Sequence, residues 1–233
     1  MRSIILLTFT FLITSINFSF SQRNVTNGRY KGGDIELGKF LAQNLKYPVL
    51  SQEYRSVGYS ITGVTIAPDG EIIEITCINP IDQFIDNNIK EVIEKSKDNW
   101  LKSDSISANQ TFYIQIAYTF GSTKDTPSVI NPVKSNYNFI EPVVLTALLG
   151  KKDKFPASDE YIATKCNESI NSGLYSEALK YIDELIKRNP FNKELYQWRI
   201  SINKELKQND LILKDAKKLS DFIPGVSLDE LVQ

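Results

Sequence analysis

Carboxylates are the side chains whose pairing could give this chain hydrolytic chemistry: the 233 residues contain 28 Asp and Glu, two cysteines and no histidine. Without histidine there is no serine or cysteine triad of the usual kind, no imidazole metal ligand and no histidine general base. Two acids at a set separation suffice for a glycosidase, and a carboxylate-dependent hydrolase of envelope polymers is the enzymatic alternative. No pair of acids, however, stands out from the solvated carboxylates of an ordinary surface. Cys77 and Cys166 fall in segments read below as a strand and a helix of different domains, and as lone cysteines both are expected to be small buried apolar residues. The residue types therefore indicate a protein that is not an enzyme, with no cofactor, no metal site and no small-molecule substrate.

Charge narrows the partners. The composition is 42% hydrophobic and 24% charged, ordinary for a globular chain with room for one large or two small domains. Arg2 precedes an apolar run from Ile4 to about Ile16, and Ser19-Phe20-Ser21 gives a small-residue site before Gln22. Residues 1–21 read as a cleaved signal peptide, which places the mature chain in the periplasm. Retained, the same segment would be an inner-membrane anchor, at the short end of what spans a bilayer. Without Arg2, the 27 basic residues become 26 against 28 acidic, a net charge of −2. Nothing in that balance attracts a phosphate backbone, and nucleic acid is excluded as a partner.

The elements follow from periodicity. Leu37, Phe40, Leu41 and Leu45 recur at helical spacing behind Gly32-Gly33-Asp34, with Asp34 placed to accept hydrogen bonds from first-turn amides. Pro48 is the expected stop, because it lacks an amide hydrogen and disfavours helical geometry at Tyr47. From Gly58 the period becomes two: Ser60, Thr62, Val64 and Ile66 share a face, Pro68-Asp69-Gly70 supplies a turn, and Ile73, Ile75 and Cys77 share a face of the return run. A second helix carries Ile85, Ile89, Val92, Ile93 and Ser96 on one side, with Trp100 just beyond. The clearest strand is Thr111 to Phe120, where Phe112, Ile114, Ile116, Tyr118 and Phe120 alternate with Thr111, Tyr113, Gln115, Ala117 and Thr119.

That order predicts an α+β domain with two helices on one face of a three-stranded antiparallel sheet. Gly32-Gly33, the helix ending Asn44-Leu45-Lys46-Tyr47-Pro48, Gly58, Asp69-Gly70, Trp100 and the aromatic strand ending at Phe120 together resemble the C-terminal domain of TonB energy transducers over residues 32–120. The resemblance implies capture of an extended segment, such as part of an outer-membrane receptor, by β-strand addition at the edge of the last strand. Thr111, Tyr113, Gln115, Ala117 and Thr119 are then the partner-strand residues, and the same edge offers a route to self-association. Only about ten residues separate Ser21 from Gly32, none of them proline, so a cleaved chain has no spacer with which to couple an inner-membrane motor. A membrane-anchored TonB-type component of transmembrane transport is the alternative reading.

Past residue 121 the composition changes. Pro127, Pro132, Pro142 and Pro156 mark residues 122–155 as a connector, within which Pro142 to Leu149 is expected to form a short helix. Gly173-Leu174-Tyr175-Ser176-Glu177-Ala178 leads into a helix ending at Arg188-Asn189-Pro190, which resembles the second half of a tetratricopeptide unit. A step of 34 residues carries Ile162 to Tyr196, Leu185 to Leu219 and Pro190 to Pro224. Residues 156–233 are thus an all-α helical-repeat domain of two units, about Asp159 to Asn192 and Lys193 to Val226. Asn167, Gln197, Ser201 and Lys204 are its candidate peptide-groove residues. Two units are few for independent stability, so the stack should lean on a neighbour. The whole chain reads as an exported cell-envelope module for protein binding, partnered by a protein or peptide.

Overall fold

A computed structural model describes residues 25, 26, 28–121, 139, 140, 142–149 and 156–222, residues 219–222 by their backbone alone. The expected signal peptide and most of the connector lie outside them. Helix α1 (Gly33–Asn44) starts behind the left-handed Gly32 and buries Leu37 and Leu41. Asp34 does not cap it. Its carboxylate turns back to accept from the amides of Val25 (2.5 Å) and Thr26 (2.9 Å) and from the Thr26 hydroxyl, tying the preceding segment to the helix. The helix ends at Asn44, earlier than Pro48 requires, and Pro48 instead opens the short helix α2 (Val49–Glu53), a position where its missing N–H costs nothing.

Strands β1 (Gly58–Ile66) and β2 (Ile72–Asn79) form the hairpin, with the turn closed by Gly70 N–H donating to Ala67 O at 3.0 Å. Helix α3 (Gln83–Lys95) follows; Asp82 caps it by accepting from the amides of Phe84 and Ile85, both at 2.9 Å. Strand β3 (Gln110–Gly121) is antiparallel to β1. The sheet does not stop there. Val143–Leu148 forms β4, parallel to β3, giving four strands in the order β2-β1-β3-β4. The three-stranded expectation is thereby corrected, as is the helix expected over Pro142 to Leu149. That stretch is too short to bury a helical stripe, and the β-branched pair Val143-Val144 fits a pleated surface better.

The main core lies between α1, α3 and the sheet: Leu37, Leu41, Ile85, Ile89 and Val92 meet Val64, Ile66, Phe112, Ile114 and Ile116. Trp100 stacks on Phe112 (5.5 Å between centroids), meets Tyr30 edge-on (5.1 Å), and its indole N–H donates to Ser96 Oγ at 3.0 Å. Arg29, fully buried, joins three segments by donating to Leu101 O (2.9 Å), Gln110 Oε1 (2.8 Å) and Ala67 O. In β2 the register slips between Thr65 and Ile66, where Glu74 and Ile72 are the successive partners. Ile73 is thus pushed out, half exposed, while Ile72 and Ile75 both lean on the core. The single face expected for Ile73, Ile75 and Cys77 is lost to that bulge. Cys77 is exposed on this marginal strand, against the expectation of burial; Cys166 is buried, and both are free.

Helices α4 (Asp159–Asn171), α5 (Tyr175–Arg188), α6 (Lys193–Glu205) and α7 (Asn209–Phe222) form two hairpins whose first helices start 34 residues apart, at Asp159 and Lys193. Their own core holds Ile162, Cys166, Ala178, Ile182, Tyr196 and Ile212. Ile212, one period after Ala178, is buried in the same core. Arg199 links three helices, donating to Asp215 (2.7 and 2.5 Å) and Asp183 (2.7 Å). Burial opposes the charge on Arg199, but the two carboxylates outweigh it and hold the guanidinium charged.

These helices lean on the second face of the sheet. The Lys187 carbonyl, at the end of α5, lies 2.6 Å from where a Cβ on Gly58 would stand, and it is approached by Asn79 Nδ2 at 3.4 Å. Asn79 Nδ2 also donates to Tyr59 O at 2.6 Å. Phe191, just past α5, is buried with Ile61 and meets Phe139 edge-on at 5.5 Å.

Candidate functional site

The sheet presents two margins of different character. β2 carries two register shifts and the acidic Glu74, devices that spoil a strand as a template for pairing. β4 has neither charge nor bulge: Val-Val-Leu-Thr-Ala-Leu runs in unbroken parallel register, Ile116 opposite Val143 through Gly121 opposite Leu148. Pairing begins further back, where Phe139 bridges Tyr113 and Ile140 N–H donates to Tyr113 O at 2.9 Å. One side of this segment faces the core, with Ile140, Val143 and Ala147 buried and Leu145 partly so. The other side carries Val144, 43% exposed, and Leu148, 86% exposed. Aliphatic side chains so placed on an uncharged margin make the β3–β4 side of the sheet the candidate interaction site.

The strand expected at an edge is therefore an inner one. Thr111, Tyr113, Gln115, Ala117 and Thr119 all lie on β3, which is paired on both sides. Thr111 Oγ1 stands 3.0 Å from Thr65 Oγ1, Tyr113 packs on Phe139 at 5.7 Å, and Thr119 lies opposite Thr146. Gln115 and Ala117 are buried, and among the described residues neither amide atom of Gln115 has a hydrogen-bond partner. On the core face, the Tyr118 hydroxyl is likewise buried without a partner, and burial holds this phenol above its ordinary range. Beside it the Tyr47 ring meets Tyr118 at 5.2 Å and Phe120 at 5.4 Å, while its hydroxyl donates to Ser56 O. Tyr47, between α1 and α2, thus packs onto the end of β3.

The four groove residues are all exposed, Asn167 on α4 and Gln197, Ser201 and Lys204 on α6. Ser201 Oγ is used within its own helix, donating to Gln197 O at 3.0 Å. Trp198, 37% exposed, stands beside them and carried no signal of its own in the sequence. β4 was also missed: the β-branched pair Val143-Val144 suits a strand, but a six-residue apolar run does not by itself separate strand from helix. Among the described residues, no group of acids and cysteines is arranged to hold a metal ion, and no helix is long and apolar enough to cross a membrane. Burial pushes the Cys166 thiol up, and its S–H points at Ala178 O at 3.6 Å.

No family model matches the chain, and no curated protein matches it. A solved structure that resembles it in part is the solution NMR structure of the TonB C-terminal domain from Helicobacter pylori, at 19% sequence identity and a TM-score of 0.30, covering 40% of this chain and 95% of that one.

Proposed function

We propose that this chain is an exported, non-catalytic protein-interaction module that takes up an extended partner segment by strand pairing on the β3–β4 side of its sheet. The observation that carries this reading is the contrast between the two margins. β2 is bulged and bears an acid, whereas the β3–β4 side accepts a strand from far along the chain and leaves aliphatic residues exposed on it. Strand addition of the kind implied by the TonB resemblance needs such a margin and no catalytic group. The helical hairpins, read as two tetratricopeptide-like units, brace the second face of the sheet and offer α6 as a separate surface. Export rests on the leader pattern of residues 1–21, and the partner is a protein or peptide of the cell envelope.

A photo-crosslinking amino acid placed at Val144 or Leu148 in the producing cells tests the proposal. Both positions are expected to give a covalent adduct to an extended segment of one partner, and the same probe at Ile73 on β2 none. Adducts from Ile73 alone, or from none of the three, would overturn it.

A further inference from the structure

We propose that the helical half is a latched cover: it lifts off the second face of the sheet as a folded unit, Phe191 is the latch, and through Phe139 its docking sets how firmly the segment leading into β4 is held. The use of that hold rests on the strand-pairing reading; the latch itself stands without it.

Phe191 is presented for docking. The loop that carries it is fixed from within the helical half: the Tyr196 hydroxyl donates to Pro190 O, Asn192 caps α6 by accepting from the Glu194 amide, and Asn189 Nδ2 donates to Asp159 Oδ2, each at 2.9 Å. Between these anchors Phe191 does not join the helical core. It turns onto the sheet, buried with Ile61 beside Ile78, Tyr113 and Phe139. An aromatic ring held out on a braced loop docks with little ordering cost.

The joint is thin where the two bodies are thick. Among the described residues, the main core has 18 buried members and the helical core twelve, whereas the cluster they share has two, Ile61 and Phe191. Units that meet over so little apolar surface move relative to one another by default. The polar link from Asn79 Nδ2 to Lys187 O is long for a hydrogen bond, at 3.4 Å. Docking also carries a cost. Gln115, opposite Ile61 in the β1–β3 register, is wholly buried on this face, and neither of its amide atoms has a partner among the described residues. Lifting the cover lets water satisfy both.

Phe139 carries the docking state to the strand. Its ring lies 5.7 Å from that of Tyr113 and 5.5 Å from that of Phe191, and its backbone bridges Tyr113 where the parallel pairing begins. Beside it the Ile140 N–H donates to Tyr113 O at 2.9 Å. With Phe191 seated, Phe139 is clamped between sheet and cover; with Phe191 away, that clamp is lost.

The experiment uses the mature chain with Cys77→Ser, which silences the exposed thiol, and two matched probes: Ile61→Cys under the cover and Ile114→Cys in the main core. Cys166 reports on the helical core. Labelling by a thiol reagent is followed site by site with mass spectrometry. Position 61 is expected to label faster than position 114 and Cys166, at a rate that hardly changes in low urea, because lifting exposes little surface. Phe191→Ala should raise labelling at position 61 by about tenfold or more, since the rate follows the open fraction. It should leave position 114 and Cys166 unchanged, and Phe191→Leu should restore most of the protection. In the Phe191→Ala chain the Ile140 amide is expected to exchange faster with deuterium.

Labelling of all three sites together, with one urea dependence, would overturn the cover, because opening would then be global unfolding. Labelling of Cys166 in step with position 61 would overturn it too, since the helical half would be melting instead of lifting. An unchanged exchange rate at Ile140 would overturn the link to β4. None of these measurements involves the partner, so a failure of strand pairing, read by the crosslinks from Val144 and Leu148, is told apart from a failure of the latch.

Discussion

The backbone carbonyl of Lys187 rests against the bare α-carbon of Gly58, so close that a Cβ there would come within 2.6 Å of the oxygen. Gly58 also has φ of 145°, a conformation that side-chain-bearing residues rarely adopt. Two independent constraints therefore select glycine where the sheet starts and the helical half docks. Gly58→Ala is expected to lower stability by about 2 kcal/mol or more, read as a shift in the urea midpoint. Amide exchange should rise most at the end of α5 and in β1. A midpoint unchanged within error would mean that the two halves do not depend on this contact.

Gln115 makes the opposite prediction. Its amide is wholly buried on the second face of the sheet, with both polar atoms unpartnered among the described residues, and such groups cost about 1–3 kcal/mol. Gln115→Met keeps the shape and removes the unpaired dipole, and should stabilise the chain by about 1 kcal/mol. Thermal unfolding decides the matter, and a fall in midpoint would show that the amide has a use in the folded state.

What the sequence made legible was local. The α3 stripe of Ile85, Ile89, Val92 and Ile93, the alternation of β3 and the turn at Gly70 each declare themselves within a dozen residues, and each stands where periodicity put it. The change of period at Gly58 was legible too, though not the close approach there, because Lys187 is distant in the chain. β4 failed for the same reason. A six-residue apolar run does not distinguish strand from helix, and what decides it is pairing with β3 across residues 122–138, which no local pattern encodes. The candidate site inherits that error: alternation correctly marked Thr111 to Thr119 as one strand face, but only the topology shows that strand to be inside the sheet. Asp34 was misread because a carboxylate in a first turn has two places to reach, and the distant one, at Val25 and Thr26, won.

Acid should weaken the chain partly through Asp82. Burial alone would raise its pKa, but hydrogen bonds from Ser56, from the Ile85 and Phe84 amides and from Ser51 outweigh burial and hold it below the usual value. A carboxyl depressed in the folded state contributes stability above its unfolded pKa of about 3.9, and that contribution is lost as pH falls through the folded value. Asp82→Ala is expected to cost about 1 kcal/mol at pH 7 through the lost cap. The difference between wild type and variant should shrink below about pH 4. A difference that stays constant from pH 7 to pH 3 would assign the effect to packing instead of the ionised cap.

Arg199 and Asp215 form the most enclosed charge pair described, with side chains 16% and 5% exposed, and Asp183 completes the set from α5. Removing Arg199 leaves the buried Asp215 carboxylate without its guanidinium, which for buried pairs costs about 3–5 kcal/mol. Arg199→Ala should therefore unfold the helical hairpins well before the sheet domain, visible as a separate early phase in helical circular dichroism. Replacing both Arg199 and Asp215 by apolar residues of similar size removes the stranded charge as well, and is expected to recover most of the loss. If the double variant were no better than Arg199→Ala, the contribution would lie in how the guanidinium packs over the Tyr196 ring, 5.5 Å away, and not in the ion pair.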